Sequence, residues 1–197
     1  MDIDDEALRR ARHDPAAFEL LVDRHSATLH AYLTRRCGPA ADDLLSEVWL
    51  TAYARRAEFR VVEAGTVRGW LFGIARNHAL AHWRRTARLP APDGSASQAD
   101  DWCWDAVDDR LDAARLRPAL RAALHALPPV EREVLILTAW EQLTPAEAAQ
   151  AVGIATGTAR SRLHRARARM RDLMAGHPAG PSAARRPLTF TSKGAQT

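Results

Sequence analysis

The segment from Thr144 to Arg171 constrains the fold of this chain more than any other. Thr144-Pro145-Ala146-Glu147 has the make-up of a capping box: a threonine to cap, a proline at the first helical position, and a glutamate that can reach back to the cap. Ala148, Ala149 and Val152 continue a short helix that Gly153 ends. After Ile154-Ala155, Thr156 is placed to cap a longer helix with Ala159, Leu163, Ala166 and Met170 facing inward. A short helix, a glycine-containing turn and a longer basic helix have the spacing of a helix-turn-helix.

The longer helix carries Arg160, Arg162, Arg165, Arg167, Arg169 and Arg171, with no acid between the first and the last. The planar guanidinium fork can bond guanine O6 and N7 in the major groove, or clamp phosphates. The first turn of a recognition helix meets base edges, so Thr158, Arg160, Ser161 and Arg162 are candidates for reading sequence. Arg165, Arg167 and Arg169 are candidates for holding phosphate. Neutralising about four phosphates would make log affinity fall against log salt with a slope of roughly −3.6. The competing reading, a solvated basic face on an ordinary amphipathic helix, is disfavoured by the capped helix and glycine turn that precede it.

Formal net charge is only +4, so its distribution says more than its sum. Between Asp93 and Asp112 the chain sets Asp93, Asp100, Asp101, Asp105, Asp108, Asp109 and Asp112 against Arg110 alone. An acidic connector and a basic helix on one chain fit two different partners.

The rest of the chain reads as all-α, since β-branched and aromatic residues are too sparse for many strands. Asp14-Pro15 is an N-cap with proline after it, and opens a helix with Phe18, Leu21, Val22, Leu29 and Leu33 at three- and four-residue spacings, ending near Cys37-Gly38-Pro39. A second helix runs from Ala41-Asp42-Asp43 through Leu44, Leu45, Val48, Trp49, Ala52 and Tyr53 to about Arg56. Residues 58–66 lack a helical period. A third helix, from about Arg68 to Arg85, holds Trp70, Leu71, Ile74, Ala75, Leu80 and Trp83. Residues 14–87 therefore form one unit behind an extension, 1–13. Residues 88–112 form a flexible acidic linker, and 113–174 a second helical unit. The Gly-, Pro- and Ser-rich stretch 175–197 reads as a disordered tail.

The third helix mixes Trp70, Phe72, Asn77, His78, His82 and Trp83 with arginines, a combination that suits single-stranded nucleic acid. Stacking there contributes about 1–3 kcal/mol per base. Trp70 and Trp83 lie near the apolar stripe and are better read as core. Asn77 and His78 flank it and are the better contacts. On the second helix Asp43 and Glu47 share one face, which either docks a basic partner helix or is simply solvated.

Several functions are excluded. No window holds eighteen consecutive apolar residues, and the first ten residues are acidic where a secretory signal would be basic and then apolar. Cys37 and Cys103 are far apart, with no metal-ligand spacing, so neither a disulfide framework nor a metal site is indicated. No nucleophile or partner carboxylate accompanies His78 or His82 in the sequence, so the chain is not read as an enzyme, and no cofactor is expected.

Together these pieces resemble the extracytoplasmic function (ECF) group of the sigma-70 family. AADDLLSEVWLTAY and GWLFGIARNHALAHWRR are similar to region 2, and ALPPVEREVLILTAWEQLTPAEAAQAVGIATGTARSRLHRARARMRDL to region 4. The resemblance implies that Asp43, Glu47 and Trp49 bind the β′ clamp helices of core RNA polymerase. It implies that Phe59, Arg60, Arg76, Asn77 and His78 meet the −10 element. Thr158, Arg160, Ser161, Arg162, Arg165 and Arg167 would meet the −35 element. It also implies contact with the polymerase β subunit, an anti-sigma factor as a further partner, and a cytoplasmic, nucleoid-associated location. Ser46 and Ala81 stand where the family usually has glutamine and aspartate, and Ala148 and Ala159 replace its isoleucine and valine.

Opening about ten base pairs costs on the order of 14 kcal/mol at roughly 1.4 per step. A few captured bases return only a few kcal/mol. A chain this small therefore works as a subunit of the polymerase. The alternative is a helix-turn-helix regulator that binds duplex sites without polymerase.

Overall fold

The computed structural model describes residues 3–59, 65–87 and 113–175. Among them every regular element is helical. Four helices make the first module: α1 (Ile3–Arg10), α2 (Ala16–Cys37), α3 (Ala41–Arg55) and α4 (Val67–Thr86). Four more make the second: α5 (Ala113–His125), α6 (Pro129–Ala139), α7 (Pro145–Val152) and α8 (Thr156–Met174). The linker 88–112, Arg60 and the tail from 176 lie outside the described residues.

Side chains at three- and four-residue steps along α2, namely Phe18, Leu21, His25, Leu29, Tyr32 and Arg36, are buried, and the helix packs on α1, α3 and α4. Asp14 caps as its residue type demands, its Oδ1 accepting from the Ala16 N–H at 3.0 Å. Gly38 closes α2 at φ 53°. Thr66 caps α4 by accepting from the Gly69 N–H at 3.0 Å, two residues ahead of the start that the spacing predicts.

The N-terminal segment is part of the first module, not an extension outside it. Ala7, Leu8 and Ala11 are buried, and the Asp4 carboxylate, also buried, meets His25 Nε2 at 2.7 Å and the Arg24 guanidinium. Too few apolar residues stand in MDIDDEALRRA for the periodicity to reveal this docking.

In the second module the capping box forms as expected: Thr144 Oγ1 accepts from the Glu147 N–H, and Glu147 Oε2 accepts from the Thr144 N–H at 2.8 Å. Gly153 ends α7 in the left-handed region, φ 77°. Thr156 does not cap α8. It is the first helical residue, and Ala155 before it supplies no side-chain cap. The two modules pack against each other, and one continuous core runs through both. The closest element pair that crosses between them is α4 on α7.

Candidate nucleic-acid and polymerase interfaces

The first turns of α8 project from the turn at Gly153. Arg160 and Ser161 are exposed, Thr158 and Arg162 half-buried, and Ala159, Leu163 and Ala166 face the core. The Ser161 hydroxyl donates to the Thr158 carbonyl at 2.9 Å, which orients it along the helix. Arg167 is exposed. Arg165 and Arg169 are not free cations: both reach the buried carboxylate of Glu131 on α6, Arg165 Nε at 3.1 Å. Their charge is thus partly matched within the module. Nothing in the arginine spacing announced a carboxylate in the first turn of α6.

On α3, Asp43 is exposed, and Leu50, 72% exposed, extends the same face one turn beyond Glu47. Trp49 is turned away from that face. Its ring meets Phe18 edge-on, centroids 5.8 Å apart, and packs on the first module's core. At 100° per residue, position 49 falls well off the line through 43, 47 and 50. The tryptophan expected at the polymerase interface is half-buried and packs toward the core side of α3.

The candidates for the −10 element divide three ways. Asn77 is exposed on α4. Arg76 is half-buried and faces Glu133 of α6, Nε to Oε1 at 3.5 Å. Phe59 and His78 are committed elsewhere. Phe59 is buried against Trp70, centroids 5.3 Å apart, because the segment after α3 folds back under the start of α4. His78 Nδ1 lies 2.9 Å from Glu47 Oε2, and its Nε2 lies 2.9 Å from Thr51 Oγ1. That ring faces α3 because residue 78 lies on the flank of α4 nearest that helix.

Between the modules runs a seam of charges. Arg36, only 2% exposed, holds Glu133 through both carboxylate oxygens at 2.6 and 2.7 Å. Burial works against the Arg36 charge, but Glu133 outweighs it and the guanidinium is held more firmly protonated than usual. Arg35 donates to Glu141 at 2.6 Å. Burial pushes the Glu141 carboxyl up from its ordinary range, and Arg35 pulls against that shift. Arg68 donates to the carbonyls of Glu141 and Gln142 at 2.6 and 3.3 Å. Arg35 and Arg36 and their partners Glu141 and Glu133 were invisible as pairs, since about a hundred residues separate them.

Among the described residues no cluster of His, Cys, Asp or Glu could hold a metal ion, and no helix is long and apolar enough to cross a membrane.

The described residues, helical in every regular element and ending in a helix-turn-helix with an arginine-lined second helix, have the make-up of a DNA-binding protein, and sequence comparison narrows it. Residues 21–89 match the family described as Sigma-70 region 2, and residues 117–170 that described as Sigma-70, region 4. The chain is 34% identical over 163 residues to the ECF RNA polymerase sigma factor SigM of Mycobacterium tuberculosis, across 82% of this chain and 79% of that one. It is 34% identical over 164 residues to the RNA polymerase sigma factor CarQ of Myxococcus xanthus, across 80% of this chain and 89% of that one. Among solved structures it resembles CnrH in complex with the cytosolic domain of CnrY, with a TM-score of 0.59 and 25% identity over 89% of this chain and 99% of that chain. The sigma factor RpoE in complex with the anti-sigma factor NepR, from Bartonella quintana, shares the fold at a TM-score of 0.54 and 24% identity, over 81% of this chain and 98% of that chain. The chain belongs to the ECF group of the sigma-70 family of RNA polymerase sigma factors.

Proposed function

We propose that this protein binds core RNA polymerase through α3 and places promoter DNA through α4 and α8, without chemistry of its own. The observation that carries the reading is the presentation of α8. A left-handed Gly153 turns the chain so that Arg160, Ser161 and Arg162 stand at the helix start, where side chains enter a major groove. Arg165 and Arg167 then follow the phosphates of the −35 element. Asn77 and Arg76 meet the −10 strand, and Arg60, outside the described residues, is a further candidate from the sequence. Asp43, Glu47 and the exposed Leu50 form the face offered to the polymerase clamp, a mixed polar and apolar surface of the kind a partner helix covers. The similarity to CnrH, solved in complex with the cytosolic domain of CnrY, supports a further protein partner, which on the family resemblance would be an anti-sigma factor. The region boundaries follow at 14–87 and 113–174, with α1 added to the first, and the site of action is the nucleoid.

The test is transcription in vitro with purified protein, core polymerase from a GC-rich bacterium and fragmented genomic DNA, with start sites mapped. New starts that share two upstream motifs about two helical turns apart are the expected result. Tight duplex binding by the protein alone, with no binding to core, would overturn the reading in favour of an independent regulator.

A further inference from the structure

Where α1 and α3 end, the first module presents a surface crowded with arginine. Arg9, Arg10, Arg12, Arg55 and Arg56 stand there against Asp14 and Glu58. Two turns meet at this surface and clasp each other: Arg12 Nη2 donates to the Phe59 carbonyl at 3.3 Å, and Arg56 Nε to the Ala11 carbonyl at 2.9 Å. Arg56 Nη1 also donates to the Tyr53 carbonyl at 2.6 Å, with its guanidinium 3.9 Å from the centre of the Tyr53 ring. Among the described residues neither Arg12 nor Arg56 meets a carboxylate, and carbonyls alone receive them. Helix C-termini attract cations through the backbone dipole. That pull is already met by Arg9 and Arg10 in the last turn of α1 and by Arg55 in the last turn of α3. Arg12 and Arg56 lie beyond both ends, so the clasp sets two like charges at one junction with no acid to offset them. Such a junction suits an anion from outside the chain.

We propose that this surface binds the phosphate backbone of promoter DNA beside the −10 element, so that α1 and the turn after it extend the DNA-binding face of the first module. The inference rests on the initiation reading above and adds residues to it. Three observations carry it. The surface is continuous with the −10 side of the module, because the carbonyl that Arg12 holds belongs to Phe59, whose ring packs on Trp70 near the start of α4. That continuity favours nucleic acid over an acidic protein as the partner. Arg12 is exposed and uses one donor in the clasp, which leaves the rest of its planar fork for phosphate oxygens. Finally, the arginines stand on a fixed scaffold and not on a loose arm. Ala7 and Leu8 are buried, and the buried Asp4 carboxylate meets His25 and Arg24 of α2.

The decisive experiment is a salt series. Arg10→Gln and Arg12→Gln, singly and together, are reconstituted with core polymerase and bound to DNA that carries a start site mapped as above, at increasing potassium chloride. The slope of log affinity against log salt should become shallower by about 0.7–0.9 for each arginine that meets a phosphate, with affinity for core unchanged. Arg12→Lys keeps the charge and should keep the slope. Arg10 takes no part in the clasp, and its pair with Asp14 is exposed and long at 3.7 Å, so it tests the surface even where Arg12→Gln disturbs the fold. Unchanged slopes in both single variants would overturn the proposal. Weaker binding to core with the DNA slope intact would overturn it in favour of a protein contact. A parent protein that gives no promoter-dependent starts would instead overturn the initiation reading. The surface is then judged on the chain alone with a mixed-sequence single strand at low salt. There, equal slopes for the parent and the double variant, or no binding by the parent, would count against it.

Discussion

His78 on α4 holds Glu47 on α3, ring nitrogen to carboxylate oxygen at 2.9 Å, with Thr51 on the ring's other nitrogen. The contact joins a residue read as facing DNA to one read as facing polymerase. It ties down the Glu47 carboxylate at the rim of an otherwise solvated face, and so joins His78 to the face proposed above for the polymerase.

His78→Ala is therefore expected to weaken core binding by about fivefold, the loss of roughly one hydrogen bond. Affinity for a single-stranded −10 oligonucleotide should be unchanged. Titrating labelled protein separately with core polymerase and with the oligonucleotide distinguishes the two, and a loss confined to the oligonucleotide would return His78 to the DNA.

Phe59→Ala should behave as a core truncation. The ring is buried against Trp70, so the expected cost is about 3–5 kcal/mol of unfolding free energy, read as a lower urea midpoint with unchanged slope. Under conditions where the variant is still folded, its capture of −10 bases should match the parent.

Glu131→Gln releases Arg165 and Arg169 from their shared carboxylate. Two more cations then become available to phosphates. The slope of log affinity against log salt on duplex DNA should steepen by up to about 1.8. Filter binding over a salt series would show it, with non-specific affinity rising at low salt. An unchanged slope would mean that Glu131 holds neither arginine away from phosphate.

Acid should loosen α7. Burial raises the Glu147 carboxyl, but hydrogen bonds from the Thr144 backbone and from the Thr66 and Thr144 hydroxyls outweigh it, so the net shift is downward from the ordinary 4.5. A carboxyl depressed on folding stabilises above its unfolded value, and that contribution is lost as pH falls through the folded value. The stability gap between the parent and Glu147→Gln should thus be full at neutral pH and shrink as pH drops below about 4.5. Urea unfolding at several pH values measures it. A gap that widened in acid would contradict the assigned bonds.

Periodicity made the fold legible wherever one residue type had one dominant physical role. The capping box at Thr144, the stop at Gly153 and the inward stripe of α8 all follow from local chemistry, and the structure has them. Two kinds of feature escaped. Short amphipathic pieces such as α1, whose buried apolar residues are Ala7 and Leu8 with Ala11 just beyond its end, fall below the signal that spacing can give. Contacts between distant residues, such as Arg36 with Glu133, are set by how modules meet, and no local pattern records that. The same blindness affected the site: Phe59 and Trp49 have the side chains of contact residues, but packing buries Phe59 and sets Trp49, half-buried, against the core.

Because the seam lies between two ends of one tether, its strength is a matter of local concentration. Joined by 25 residues, the modules meet each other at an effective concentration in the millimolar range, whatever the amount of protein in solution. Doubling the tether would weaken closure by only about 0.6 kcal/mol, whereas cutting it would turn the same surfaces into a dilute bimolecular pair. A single nick between Thr86 and Ala113 would then leave every contact surface intact and still let the two halves drift apart.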